Sequence, residues 1–357
     1  MLSVGERIKQ ARLAAGLSGR QLAARVGVSH MAISKYEKNQ MRPSTEVLLR
    51  LADALGIKVG FFSRPLQVEL CCPAYRKHRR LPKRAQERIE GQIKEFLERY
   101  LTVEELFAPE ERPPFAWPFE CSGRLRCVEE VEDWAEALRQ AWGIGDDPIA
   151  SLCETLEDHG VKVLLLEEGE EHFDGYSCWA NESVPVVACP KEGRPGDRQR
   201  FTLAHELGHL LLADHLAAAV DPERACYRFA GAFLVPAAAV RHEVGAFRRR
   251  IELEELYDLK HKWGLSMRAW LFRLRDLGII SASYYQRMER QFRACGWHLR
   301  EPGVQVPAEQ PTRFKRLVER AVAEDLISLA RAADLLNQPL IAVRQKMSWP
   351  AAQEVAL

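Results

Sequence analysis

Residues 201–212 read Phe-Thr-Leu-Ala-His-Glu-Leu-Gly-His-Leu-Leu-Leu and set two histidines four positions apart in a strongly apolar stretch. Positions i and i+4 of a helix share a face, so His205 and His209 can each aim a ring nitrogen at one cation. Leu203, Leu207, Leu210 and Leu211 bury other parts of the same helix. Glu206 is rotated to the side, where it reaches water beside the cation rather than the cation itself. Zinc lowers the pKa of water to about 7, and an adjacent carboxylate can take the proton as that oxygen attacks a peptide carbonyl.

Catalytic zinc sites use three protein ligands and keep one position open. The downstream candidates for the third are Asp214, His215, Asp221 and Glu223. Asp214 and His215 lie too near the end of the histidine helix to fold back easily. Glu223 opens the next helical segment, from which a carboxylate can cross to the metal, and is the expected ligand. Tyr227 follows one turn later, placed to orient a ligand or to meet a substrate oxygen.

The segments around this helix are well punctuated. Helices are expected over 129–142 and 148–159, a buried strand from Val161, and strands over Tyr176–Ala180 and Val184–Cys189 separated by Asn181-Glu-Ser. Helices follow over 198–213 and 222–234, and the chain from Ile251 is helical by periodicity, with a Pro- and Gly-containing gap at 302–311. Two segments there, Tyr257–Ile280 and Leu326–Met347, repeat a helix-turn-helix outline, and packing helices are the simpler reading of both. Trp134, Trp142, Trp263 and Trp270 sit at helical spacing and read as core, while His215, His242, His261 and His298 lack matched partners.

The amino-terminal end has a different character. Residues 1–64 hold eleven Lys/Arg against four Asp/Glu, an excess of seven in a chain whose overall charge is +1, which suits a polyanionic partner. Four short helices are marked out by Ser3-x-x-Glu6 and Gly16, Ser18-x-x-Gln21 and Gly27, Ser29 with inward Ile33 and Tyr36, and Ser44 and Gly56. The second and third, joined by a tight Gly27-Val28 turn, make a helix-turn-helix whose second helix enters the major groove. Ser29, His30, Met31, Ser34 and Lys35 then face base edges, and Gly19, Arg20, Asn39 and Arg42 sit near phosphates. A basic run, Arg76, Lys77, Arg79, Arg80, Lys83 and Arg84, leads into a helix through Ile89, Ile93 and Leu101, read as a solvated face, and four prolines between Pro109 and Pro118 mark a connection.

Residues 14–29, with Ile33-Ser-Lys-Tyr-Glu and the segment from Arg42-Pro-Ser to Gly56, resemble the lambda-repressor-like (XRE) helix-turn-helix family over about 3–63. Arg200–Leu212, with Glu223-Arg-Ala-Cys-Tyr-Arg-Phe-Ala-Gly-Ala-Phe-Leu-Val-Pro236, resembles the ImmA/IrrE metallopeptidases over roughly 128–240, as do Phe173-Asp-Gly-Tyr-Ser and Pro185-Val-Val-Ala. That resemblance puts the metal on His205, His209 and Glu223 and the general base on Glu206. Many members carry an acid-Ala-Asn run where this chain has Ala225, Cys226 and Tyr227.

At 357 residues, two or three domains are the prior, and the segments and resemblances together imply a multidomain, mainly α protein with a small α+β zincin-like domain. The expected divisions are a helix-turn-helix DNA-binding bundle at 1–66, a basic helical linker region at 67–127, the zincin-like metallopeptidase domain at 128–250 and a helical C-terminal domain at 251–357. Charged residues in the first seven positions argue against a signal peptide, no apolar run is long enough for a membrane span, and nine irregularly spaced cysteines read as reduced thiols, so a cytoplasmic location is expected. The resemblance implies a DNA-binding zinc endopeptidase, licensed by a stress signal or partner, that cleaves a specific repressor or antitoxin-like regulator. The alternative is a transcription regulator whose zincin-like domain senses a metal or ligand and cuts nothing. Operator DNA is the expected partner of the basic end, and a homodimer is left open.

Overall fold

The computed structural model describes residues 4–63, 68–71, 82–116, 124–166, 173–191 and 193–347. Ser3 of the expected first capping box, and Arg76 to Arg80 of the basic run, lie outside them. The chain packs as two units.

The first unit opens with α1 (Val4–Ala14), α2 (Gly19–Val26), α3 (His30–Glu37) and α4 (Thr45–Leu55). Their limits follow the caps expected from sequence. Ser18 and Gln21 form the reciprocal capping box, Ser29 accepts from Ala32 N–H, Ser44 accepts from Val47 N–H, and Gly27 and Gly56 close their helices in the left-handed conformation. Ile8, Leu22, Ile33 and Leu51 form the shared core.

The segment expected to be a linker contains α5 (Lys83–Glu104), a packed helix. Arg7 of α1 is fully buried and pairs with Glu98 of α5 at 2.6 Å, and Gln10 donates to the same carboxylate. A glycine lets the helices close in, since a Cβ at Gly91 would lie 2.8 Å from the Ala14 nitrogen.

The second unit holds the sheet and the helices that position the histidines. α6 (Val131–Ala141) and α7 (Leu152–Asp158) come before its three longer strands. The expected 148–159 helix is thus shorter at its start, because Ser151 caps it. Strands β1 (Leu70–Cys71), β2 (Lys162–Leu166), β3 (Tyr176–Ala180) and β4 (Val184–Pro190) line up in the order β1-β3-β4-β2. β3 and β4 are an antiparallel hairpin turning at Asn181 and Glu182, both at positive φ, and β2 runs parallel to β4.

Across the sheet come α8 (Gly196–Leu212) and α9 (Pro222–Leu234), followed by α10 (Ala237–Val244), α11 (Leu253–Trp263), α12 (Met267–Asp276) and α13 (Ala282–Ala294). α11 to α13 share one core with the sheet and α8, so the expected division at 250 cuts through continuous packing. The reason is visible at Arg273 of α12, a buried guanidinium that donates to the Val235 carbonyl and pairs with Glu132 of α6. In the helix-turn-helix outline at 257–280, α12 buries Met267, Trp270, Leu271 and Leu274, which makes it a packing helix. Trp263 and Trp270 are core, and Trp134 and Trp142 pack half-buried against it.

The chain then supplies α14 (Arg313–Ala323), α15 (Leu329–Leu335) and α16 (Leu340–Met347) to the first unit, where they pack on the later part of α5 through Tyr100, Val103, Leu317, Val318, Ala332 and Val343. The expected C-terminal domain is therefore divided, its earlier helices in one unit and its last three in the other.

Candidate metal centre and DNA-reading helix

α8 is buried on most of its surface, as the leucine pattern requires, and turns the His205 and His209 rings to one side. α9 crosses close to it at Gly208, where a Cβ would lie 3.1 Å from Phe229 and 3.4 Å from the Cys226 Cα. The start of α9 is fixed by Asp221, whose carboxylate accepts from the Glu223 and Arg224 N–H groups, with Pro222 in the first turn. Asp221, weighed as a ligand from sequence, is thus the cap that places Glu223.

Three donors converge. Glu223 lies 3.4 Å from His205 Nε2 through Oε2 and 3.4 Å from His209 Nε2 through Oε1, and the two Nε2 atoms are 3.1 Å apart. Zinc bonds of about 2.0–2.1 Å in tetrahedral geometry separate ligand atoms by about 3.3–3.4 Å, so this set fits a zinc ion. It is the one cluster of its kind among the described residues. His215, another sequence candidate, lies against the Trp134 ring at 5.1 Å instead.

Glu206 points from the same helix toward β3. It is buried, and its Oε2 accepts a 2.7 Å hydrogen bond from Ser177 Oγ. Burial pushes its pKa up to about 7, against the opposing pull of His205 and the Ser177 hydroxyl. Gly175 makes room for it, since a Cβ there would lie 2.6 Å from Oε1. Tyr227 is half exposed, with its ring 4.5 Å from that of His205 and stacked toward Phe201, and burial beside Glu223 raises its hydroxyl pKa.

Two neighbours escaped the sequence reading. From sequence, Ser177 reads only as a strand residue, and Cys226 only as a departure from a pattern. Cys226 Sγ lies 3.2 Å from His209 Nδ1. Helical spacing held a signal for it, since Cys226 stands three positions after Glu223 and so shares that face of α9.

In the first unit, α2 and α3 meet where the His30 ring packs on Gly19, at which a Cβ would lie 3.2 Å from His30 Cδ2. Arg20, His30, Met31, Lys35 and Arg42 are exposed, and Ser34 is half-buried. Two expected contacts have structural duties. The Ser29 hydroxyl caps α3, and the Asn39 side-chain oxygen accepts from Gly5 N–H at the start of α1.

Residues 8–62 match the family model described as a helix-turn-helix, and residues 156–275 match the one described as an IrrE N-terminal-like domain. The chain joins these two domains. The IrrE-like match takes in both histidines, Glu206, Glu223 and Ser177, and the helix-turn-helix match takes in α2 and α3. Similar proteins are named transcriptional regulators. One from Methanosarcina barkeri is 37% identical over 92 residues, 26% of each chain. Another, in the ATPase CF(0) region of Rhodospirillum rubrum, is 39% identical over 64 residues, 18% of this chain and 59% of its own. The regulator ImmR of Bacillus subtilis is 28% identical over 60 residues, 17% of this chain and 47% of its own. The chain spans from about a quarter to three fifths of the length of these relatives. The chain thus carries a helix-turn-helix domain similar to those of proteins named transcriptional regulators, together with a peptidase-like domain.

Proposed function

We propose that the IrrE-like domain is a zinc-dependent endopeptidase that cleaves a specific repressor or antitoxin-like regulatory protein, while the helix-turn-helix domain holds the chain at operator DNA. The observation that carries this reading is the buried Glu206 carboxyl beside three convergent donors. A metal sensor needs His205, His209 and Glu223, but it has no use for a general base in that position.

His205, His209 and Glu223 would hold the zinc. When bound, zinc polarises a peptide carbonyl and lowers the pKa of water. Glu206 takes the proton from the attacking water and delivers it to the departing amine. The Ser177 hydrogen bond fixes which way its carboxylate faces. Tyr227, on the exposed side of His205, can donate its hydroxyl hydrogen to the substrate carbonyl oxygen.

On the DNA side, His30, Met31, Ser34 and Lys35 face base edges, and Arg20 and Arg42 reach phosphates, with Ser29 and Asn39 setting helix ends as well. No described helix is long and apolar enough to cross a membrane, and a cytoplasmic setting suits an operator-bound chain; a homodimer would match two half-sites.

Glu206→Gln tests the enzyme reading. The variant should keep its zinc and lose cleavage by at least 100-fold, so that the target protein persists in cells where wild type removes it. Equal disappearance of the target with both forms would leave the domain a sensor.

A further inference from the structure

The acid-Ala-Asn pattern leaves this chain with Cys226 and Tyr227 at its last two positions, and each supports one imidazole. Tyr227 packs its ring on His205, whose buried Nδ1 has no hydrogen-bond partner among the described residues. His209 is held differently. The Cys226 sulfur lies 3.2 Å from its Nδ1, while its Nε2 faces Glu223. Cys226 is 1% exposed, so water does not compete for that contact.

We propose that Cys226 is the positioning residue of the metal centre, its sulfur accepting the Nδ1 proton of His209 and thereby fixing the ring and the tautomer that leaves Nε2 free for the cation. This inference rests on the metal-site reading above. A histidine that binds through Nε2 must carry its proton on Nδ1, and the partner of that proton sets the ring's orientation. Such partners are usually carboxylates, carbonyls or water, whereas an uncharged thiol is a weak acceptor. The backbone geometry supports the assignment. Gly208 allows the Cys226 Cα to approach α8, and Asp221 and Pro222 fix the turn of α9 from which both Glu223 and Cys226 project. Carboxylate, carbonyl and water partners typically contribute 10- to 100-fold in metal affinity, and the weaker thiol acceptor belongs at the low end of that range.

The test compares Cys226→Val with Cys226→Ser in the full chain, with zinc affinity read by competition against a chromophoric chelator and the melting of the metal-free protein measured beside it. Valine fills the space of the thiol without accepting a hydrogen bond, whereas serine keeps an acceptor. We expect Cys226→Val to bind zinc about 10-fold more weakly and Cys226→Ser to stay within a few-fold of wild type. Equal affinities for the two variants would overturn the positioning role, even with wild-type zinc binding intact. Absence of zinc binding in wild type would instead remove the metal site itself, so the two failures are distinguishable.

Discussion

At the scale of residues, Glu206 shows how one environment sets both chemistry and stability. Its carboxyl is buried against β3, with a pKa of about 7 against an ordinary 4.5. Between those values the folded chain holds a proton that the unfolded chain has released, so folding stability falls as pH rises through this window. In the metal-free protein the total loss is on the order of 3 kcal/mol between pH 5 and 8. Denaturant titrations of metal-free wild type and Glu206→Gln across that range should show the decline in the former and a flatter profile in the latter; parallel profiles would rule Glu206 out as its source. The convergence of the two histidines with Glu223 was legible in the sequence, because i, i+4 spacing on a leucine-rich helix leaves few other arrangements. Ser177 was not, since a hydroxyl on a buried strand looks the same whether it packs or holds a partner, and for Cys226 the one signal was its three-residue spacing from Glu223.

Elements were read well where punctuation is local. Ser18, Ser29 and Ser44 begin helices, and Gly27 and Gly56 end them, as their capping chemistry requires. The start of α8 depends on something the sequence could not show. Gly196 N–H donates to the Val306 carbonyl, Gln199 exchanges two hydrogen bonds with the Glu309 backbone, and Arg200 pairs with the Glu309 carboxylate. The stretch read as a gap at 302–311 is thus a strap seated on the first turns of the histidine helix. A Cβ at residue 196 would lie 1.9 Å from the Pro307 oxygen. Gly196→Ala should therefore destabilise the protein by about 1–3 kcal/mol in chemical denaturation; an unchanged midpoint would mean that the strap is not held there.

For the whole molecule, periodicity reveals which face of a helix is apolar but not what covers it. That is why α5 reads as part of a linker over 67–127, and why all the helices from 251 on read as one C-terminal domain. The structure covers α5 with α1 at one end and with α14 to α16 at the other. The resulting molecule pairs a basic helix-turn-helix unit with an α+β unit built around His205, His209 and Glu223. The most direct test of this account is the zinc content of purified wild type, Glu206→Gln and Glu223→Ala after equilibration in zinc-buffered solution. Stoichiometric zinc in the first two and its loss from Glu223→Ala is the predicted result. A wild-type chain without zinc, or a Glu223→Ala chain that binds it as tightly as wild type, would contradict the metal centre.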